Sequence, residues 1–247
     1  MKKFTFLSVV VAVVLATGNL IAAAATNPLA DKIIALDAGH GSSVSDTGAK
    51  NQKYGVAEAD VNWDVVQVLV VKLEAQQAHV VVADRLSTRR ERVNDAIAKC
   101  ATFDLNSDGV GDKCDALVSV HHNGNDDPTH DGTLTIYTQK SDKPLAQSLL
   151  GALVPLTGKS EGLLNGGYGM TVYKNLVSSI TEAYYITNDC EAELYLYSKG
   201  SRADTSQECK NAGYQTENRI DREADAQMKG ISDYFASQMS GGGGKPR

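Results

Sequence analysis

Three apolar runs of this chain each end in, or contain, polar residues able to do chemistry. The run Lys32-Ile-Ile-Ala-Leu-Asp37 opens into Ala38-Gly39-His40-Gly41, the run from Ala116 closes on Ser119-Val120-His121-His122-Asn123, and a late run holds Ile180-Thr181-Glu182-Ala183. A fourth residue, Glu58, precedes Val61 by three positions and so shares the inward stripe of a helical pattern. Open α/β sheets carry their reactive sites beyond the carboxyl ends of the strands. Two imidazoles and one carboxylate meeting there fit a catalytic zinc, with three protein ligands and a fourth position left to water. A further carboxylate nearby could take the proton of that water. Each residue also has a plainer role. A histidine after a strand commonly hydrogen-bonds its own loop, and Glu58 at a helix start is favoured by the macrodipole alone. Glu182 is harder to dismiss, because an unpaired carboxylate inside an apolar strand is costly. The residues by themselves leave both readings open.

The elements needed to position these groups are legible as alternating patterns. Lys32–Asp37, His79–Asp84, Ala116–Val120, Thr133–Thr138 and Ser178–Ile186 read as strands. Ala57–Gln77 reads as a helix with Val61, Val65, Val68, Leu69 and Leu73 on one stripe, and its valines require packing to hold it. Arg89–Lys99, Pro144–Leu153 and a last segment carrying Ile220, Ala224, Met228, Ile231 and Phe235 are further helices. This alternation predicts an α/β fold: a single domain with a largely parallel central sheet and helices on both faces.

A second metal-like pattern lies before the His121 strand. Asp104, Asn106, Asp108, Asp112 and Asp115 fall at positions 1, 3, 5, 9 and 12 of a calcium loop, with Gly109 at position 6 and the Val110 carbonyl at position 7. The spacing favours a structural calcium site, although Asp115 is shorter than the usual closing glutamate. The plainer reading is an acidic, turn-rich surface loop. Cys100 and Cys114 bracket this insertion, and Cys190 and Cys209 bracket another polar stretch, so the expected disulfides are Cys100–Cys114 and Cys190–Cys209. Glu191–Lys210, with Tyr195 and Tyr197, reads as either a wall of a substrate groove or a stapled surface loop.

Composition narrows the function further. The 247 residues are 42% apolar and 22% charged, which is globular rather than disordered. Lys2 and Lys3, the apolar run Phe4–Leu15 and the small residues Ala22–Ala25 predict a signal peptide over residues 1–25. Its removal makes the net charge of −6 still more negative, which argues against nucleic acid as a partner. No cysteine follows the apolar run and no later segment is apolar enough to span a bilayer, so we expect an exported protein without a membrane anchor, periplasmic or extracellular, and monomeric by default. Residues 26–240 form the expected catalytic domain, and 241–247 a flexible tail.

The ordered blocks together resemble the type-3 family of zinc-dependent N-acetylmuramoyl-L-alanine amidases, from about Lys32 to Phe235. They are Ile34-Ala-Leu-Asp-Ala-Gly-His-Gly41, Gly48-Ala49, Glu58 with Asn62, Val81-Val-Ala-Asp-Arg85 with Arg92, Ser119-Val-His-His-Asn123, Gly132 with the strand after it, Leu145-Ala146, and Glu182–Asn188. The resemblance implies that His40, Glu58 and His121 bind zinc and that Glu182 is the general base. It implies hydrolysis of the amide joining the lactyl group of N-acetylmuramic acid to L-alanine in peptidoglycan. His122 points away from His121 on an extended segment and is not expected to be a ligand. Ala38 in place of the family's proline, Ile97 in place of an asparagine, and Thr181 with Ala183-Tyr184-Tyr185 around the glutamate depart from the pattern without removing a ligand. Two rivals remain: a zinc carboxypeptidase-like enzyme that shortens wall peptides, and a non-catalytic, calcium-stabilised wall-binding protein.

Overall fold

In the computed structural model, which describes residues 27–173 and 176–241, the apolar run after Lys32 becomes β1 (Ile33–Ala38), buried along its whole length. A strand without polar alternation must be covered on both faces, and β1 lies inside a six-stranded sheet. Around it stand β4 (His79–Val82), β5 (Ala116–Asn123), β8 (Ser178–Tyr185), β6 (Thr133–Tyr137) and β7 (Ser160–Asn165), in the order β4-β1-β5-β8-β6-β7. The first four run parallel, while β6 pairs antiparallel with β8 and parallel with β7. The mostly parallel α/β architecture expected from the sequence is therefore present.

Two cores flank the sheet. On one face α1 (Glu58–Ala75), α3 (Lys143–Thr157) and α6 (Arg219–Gly241) pack together, with Val61, Val65, Val66, Leu69 and Leu73 of α1 out of contact with solvent. Burying each such side chain stabilises by roughly 1.5–3 kcal/mol, which offsets the poor helix propensity of valine. On the other face α2 (Arg89–Cys100) stands over β1 and β4, fixed at its start by a reciprocal Thr88–Glu91 capping box. Among the described residues α2 is the helix that packs on this face, against β1 and β4.

Both expected disulfides, Cys100–Cys114 and Cys190–Cys209, are formed. Glu191–Lys210, read as either a groove wall or a stapled surface loop, is stapled by Cys190–Cys209 but is largely helical. It lies mostly within α4 (Asp189–Ser198) and α5 (Gln207–Asn211), and Glu191 and Glu193 are buried. Arg219 of α6 grips both Glu191 oxygens, and Arg202 with Tyr54 holds Glu193. These ion pairs let polar residues form a packed helix. The short hairpin β2 (Lys50–Asn51) with β3 (Val56–Ala57) and the edge strand β7 escaped the sequence reading. The former is too brief and the latter too exposed for an apolar period. The signal-peptide reading lies outside the described residues, as do 242–247 of the expected tail; Gly241 is the last residue of α6.

Candidate metal centre and its groove

Past β1 the chain turns sharply. His40 adopts φ 61° and Gly41 φ 78°, and the Gly41 N–H donates to the Asp46 carbonyl at 2.8 Å. Arg85 holds the turn from behind, donating to the carbonyl of His40 at 2.9 Å and to that of Ala59 in α1 at 2.6 Å. Its guanidinium fills the space a Cβ on Gly41 would need. Beneath, Asp37 accepts from Arg92 at 2.7 Å and from Ser119 at 2.5 Å, so a buried ion pair joins β1, β5 and α2.

The loop 42–49 then carries the chain to α1. No side chain caps this helix; the N–H groups of Glu58 and Ala59 donate instead to the carbonyls of Ala49 and Thr47, at 2.8 and 3.0 Å. In return the Glu58 carboxylate accepts the Ala49 N–H at 2.8 Å. Glu58 is thus strapped at the head of α1 and directed at the two histidines.

His40 Nε2 lies 3.5 Å from Glu58 Oε2, and His121 Nδ1 lies 2.9 Å from Glu58 Oε1. One ligand atom from each of His40, Glu58 and His121 falls within 4.8 Å of the others, and no other such group occurs among the described residues. Burial presses the Glu58 pKa upward, yet the hydrogen bond and charge of His121, the charge of His40 and the Ala49 N–H prevail and hold it at about 2. A carboxylate kept ionised beside two imidazoles is the donor set that suits zinc. Small residues make room for it. A Cβ on Gly39 would sit 2.3 Å from the His121 ring, and one on Gly48 would sit 2.3 Å from Glu58 Oε2. The residues present fit the metal.

Asp46, which the sequence reading missed, accepts from His40 Nδ1 at 2.8 Å and from the Ser42 hydroxyl at 2.7 Å. The His40 hydrogen bond holds its carboxyl well below the usual range. An ionised partner at Nδ1 fixes the tautomer and leaves the Nε2 lone pair facing Glu58. A carboxylate six residues after a histidine has no periodic signature; only the closing of the turn brings it back.

Glu182 pairs in register with His121 across β5 and β8. It faces the same side as Ile180, whose side chain belongs to the α2-side core. Its Oε2 is buried without a hydrogen-bond partner. Burial, reinforced by the nearby Glu58 charge, pushes its pKa well above the ordinary value of 4.5. A cavity of about 340 Å³ is lined by His40, Glu58, His121, Asn123, Tyr168 and Glu182 among others, so the four residues singled out in the sequence share one opening. His122 turns to the opposite face. Its Nδ1 meets Asn62 Oδ1 at 2.6 Å and its Nε2 meets Glu223 Oε2 at 2.8 Å, while its ring packs on Tyr184 at 4.3 Å.

The carboxylates of the calcium-loop candidates are taken up by N–H groups of the protein. Asp104 accepts the N–H groups of Asp108 and Gly109, Asp108 that of Val110, and Asp112 that of Leu105. These contacts satisfy an ordinary acidic turn. Asp115 faces elsewhere, accepting the Ile33 N–H at 2.8 Å at the start of β1 and pairing with Lys32. The expectation that Asp104, Asn106, Asp108, Val110, Asp112 and Asp115 cradle calcium finds no support in this arrangement, because the closing residue is committed to the sheet.

The family model of N-acetylmuramoyl-L-alanine amidases matches residues 34–212. The chain is 28% identical over 174 residues to the N-acetylmuramoyl-L-alanine amidase LytC of Bacillus subtilis (strain 168), covering 67% of this chain and 32% of LytC. It is also 28% identical over 179 residues to YqiI of the same organism, covering 69% of this chain and 78% of that protein. The chain thus spans about a third of LytC and more than three quarters of YqiI. Among solved structures, the N-acetylmuramoyl-L-alanine amidase of Clostridium difficile 630 superposes with a TM-score of 0.62 at 21% identity, covering 84% of this chain and 98% of that one.

Proposed function

Because the chain belongs to the N-acetylmuramoyl-L-alanine amidase family, we propose that it hydrolyses the amide between the lactyl group of N-acetylmuramic acid and L-alanine in peptidoglycan, as a zinc enzyme with Glu182 as general base. The observation that carries this reading is the His40–Glu58–His121 cluster, which shares its opening with the unpartnered carboxyl of Glu182. Zinc held there would lower the pKa of water toward about 7 and polarise the scissile carbonyl.

The protein's own groups do the rest. Asp46 holds His40 in one tautomer, and the Ala49 N–H and Asn62 hold Glu58 in place. Glu182, raised in pKa by its dry surroundings, takes a proton from the attacking water and delivers it to the departing alanine nitrogen. Two disulfides fit an oxidising compartment, in keeping with export to the periplasm or beyond.

The test is release of stem peptides from purified peptidoglycan, with metal content measured on the same samples of wild type and Glu182→Ala. Intact peptides with a free alanine amine from wild type, and none from a variant that still holds zinc, are expected. Shortened peptides would transfer the reading to a peptidase. Binding to sacculi without release by folded, zinc-loaded protein would make it a binding protein.

A further inference from the structure

Arg89 has no hydrogen bond or ion pair among the described residues, unlike its neighbours Arg85 and Arg92, which are committed to the folding of the site. It is the first residue of α2, followed by Arg90. Two cations in the first helical turn oppose the macrodipole, each at a cost of roughly 0.3–1 kcal/mol, so stability does not account for them. The side chain is nonetheless placed. Its aliphatic stem lies against Gly169, where an added Cβ would come within 2.9 Å of Arg89 Cβ and 3.2 Å of Cδ.

Two cavities flank the candidate metal centre. One, of about 400 Å³, runs past Asp46, Thr88, Arg92 and Gly169, and the other, of about 340 Å³, past Glu58, Tyr168 and Glu182. Three residues line both: His40, His121 and Arg89. A substrate with its reacting amide over the two histidines therefore has a free guanidinium along its path. Of the carboxylates in these cavities, Asp46 serves His40 and Ser42, Glu58 serves His121 and Ala49, and Glu182, on the same cavity wall, forms no hydrogen bond or ion pair with Arg89.

We propose that Arg89 determines specificity by pairing with the free α-carboxylate of the γ-linked glutamyl residue that follows L-alanine in the substrate. This rests on the amidase reading above. Charge complementarity selects the occupant. On the glycan side the lactyl carboxyl is consumed in the scissile amide and the sugars are neutral, so the nearest anion belongs to the peptide. A guanidinium matches a carboxylate in a two-pronged geometry that a carboxamide cannot reproduce with charge.

The experiment compares two muramyl dipeptides, N-acetylmuramoyl-L-alanyl-D-glutamate and its isoglutamine counterpart, which differ only in carboxylate against carboxamide. Turnover is measured for the zinc-loaded wild type and Arg89→Gln, and binding of the two corresponding free dipeptides is measured calorimetrically on the same proteins. Wild type should favour the carboxylate about 10- to 100-fold in kcat/KM, the scale of one charge-assisted hydrogen-bonded pair. Arg89→Gln should bring the two substrates level by losing rate on the carboxylate form. Equal rates in wild type, or a preference that survives in the variant, overturn the proposal. If neither substrate is cleaved, the amidase reading fails, and the binding data decide the role of Arg89. A tenfold or larger preference for the carboxylate dipeptide that the variant lacks sustains it, and equal binding overturns it.

Discussion

Glu223→Leu should destabilise the protein far more than Glu223→Gln, although neither touches the candidate metal ligands. Asn62 donates from Nδ2 to the Gly39 carbonyl at 2.9 Å, so the atom it turns to His122 is its acceptor oxygen. His122 Nδ1 must then donate. Nε2 faces a Glu223 oxygen at 2.8 Å, and both side chains of this pair are wholly out of solvent. With Glu223 as a carboxylate Nε2 donates as well, and an imidazole donating from both nitrogens carries a charge that Glu223 balances. Leucine leaves that charge alone, at a cost of about 3–5 kcal/mol, because a buried charge cannot be rehydrated without opening the fold. Glutamine keeps an acceptor of the same size and loses only the charge assistance, about 1 kcal/mol. For a domain of this size the melting temperature should fall by about 6–20 °C for leucine and about 2–4 °C for glutamine. Urea unfolding at pH 7, with unchanged slope and a lower midpoint, is the quantitative assay. Leucine and glutamine variants of equal stability would refute the assignment of a buried ion pair.

Three further outcomes are expected. The raised Glu182 pKa means that the folded chain holds this proton more tightly than the unfolded one, so the stability it contributes is full below about 4.5 and is lost as pH rises. Metal-free Glu182→Gln should therefore exceed wild type in stability by about 1–3 kcal/mol at pH 8, with the gap closing toward pH 4, as paired denaturant titrations would show. Asp46→Ala frees the His40 ring; competition with a chelator should show zinc held about 10- to 100-fold more weakly, while circular dichroism stays unchanged. Replacing Cys100 and Cys114 together by serine removes a local staple. This should lower stability by about 3 kcal/mol in urea unfolding, without loss of zinc.

The site was legible because its residues break apolar runs. Glu182 sits inside a strand, His40 and His121 stand at strand ends, and Glu58 heads a helical stripe, so one-dimensional pattern and three-dimensional convergence coincide. What escaped depends on chain closure. Asp46 reaches His40 only because the Gly41 N–H draws the 41–46 loop back on itself. Glu191 and Glu193 belong to a polar stretch until Arg219 of α6 and Arg202 of the same segment arrive to neutralise them. Asp115 fitted a calcium spacing by count alone, while the start of β1 had a prior claim on its carboxylate. The edge strand β7 is paired only through β6 and mostly exposed, so no apolar alternation announced it.

The pairing of the cysteines has a consequence for how such a chain matures. Each disulfide joins neighbours along the sequence, 14 and 19 residues apart, and the two loops neither overlap nor nest. Short loops close readily, and closure entropy rises with length. In a chain threaded N-terminus first into an oxidising space, Cys100 meets Cys114 before Cys190 has emerged. Order of appearance and native connectivity then agree. A plain oxidant suffices, and no shuffling of wrong pairs is needed to reach the finished molecule.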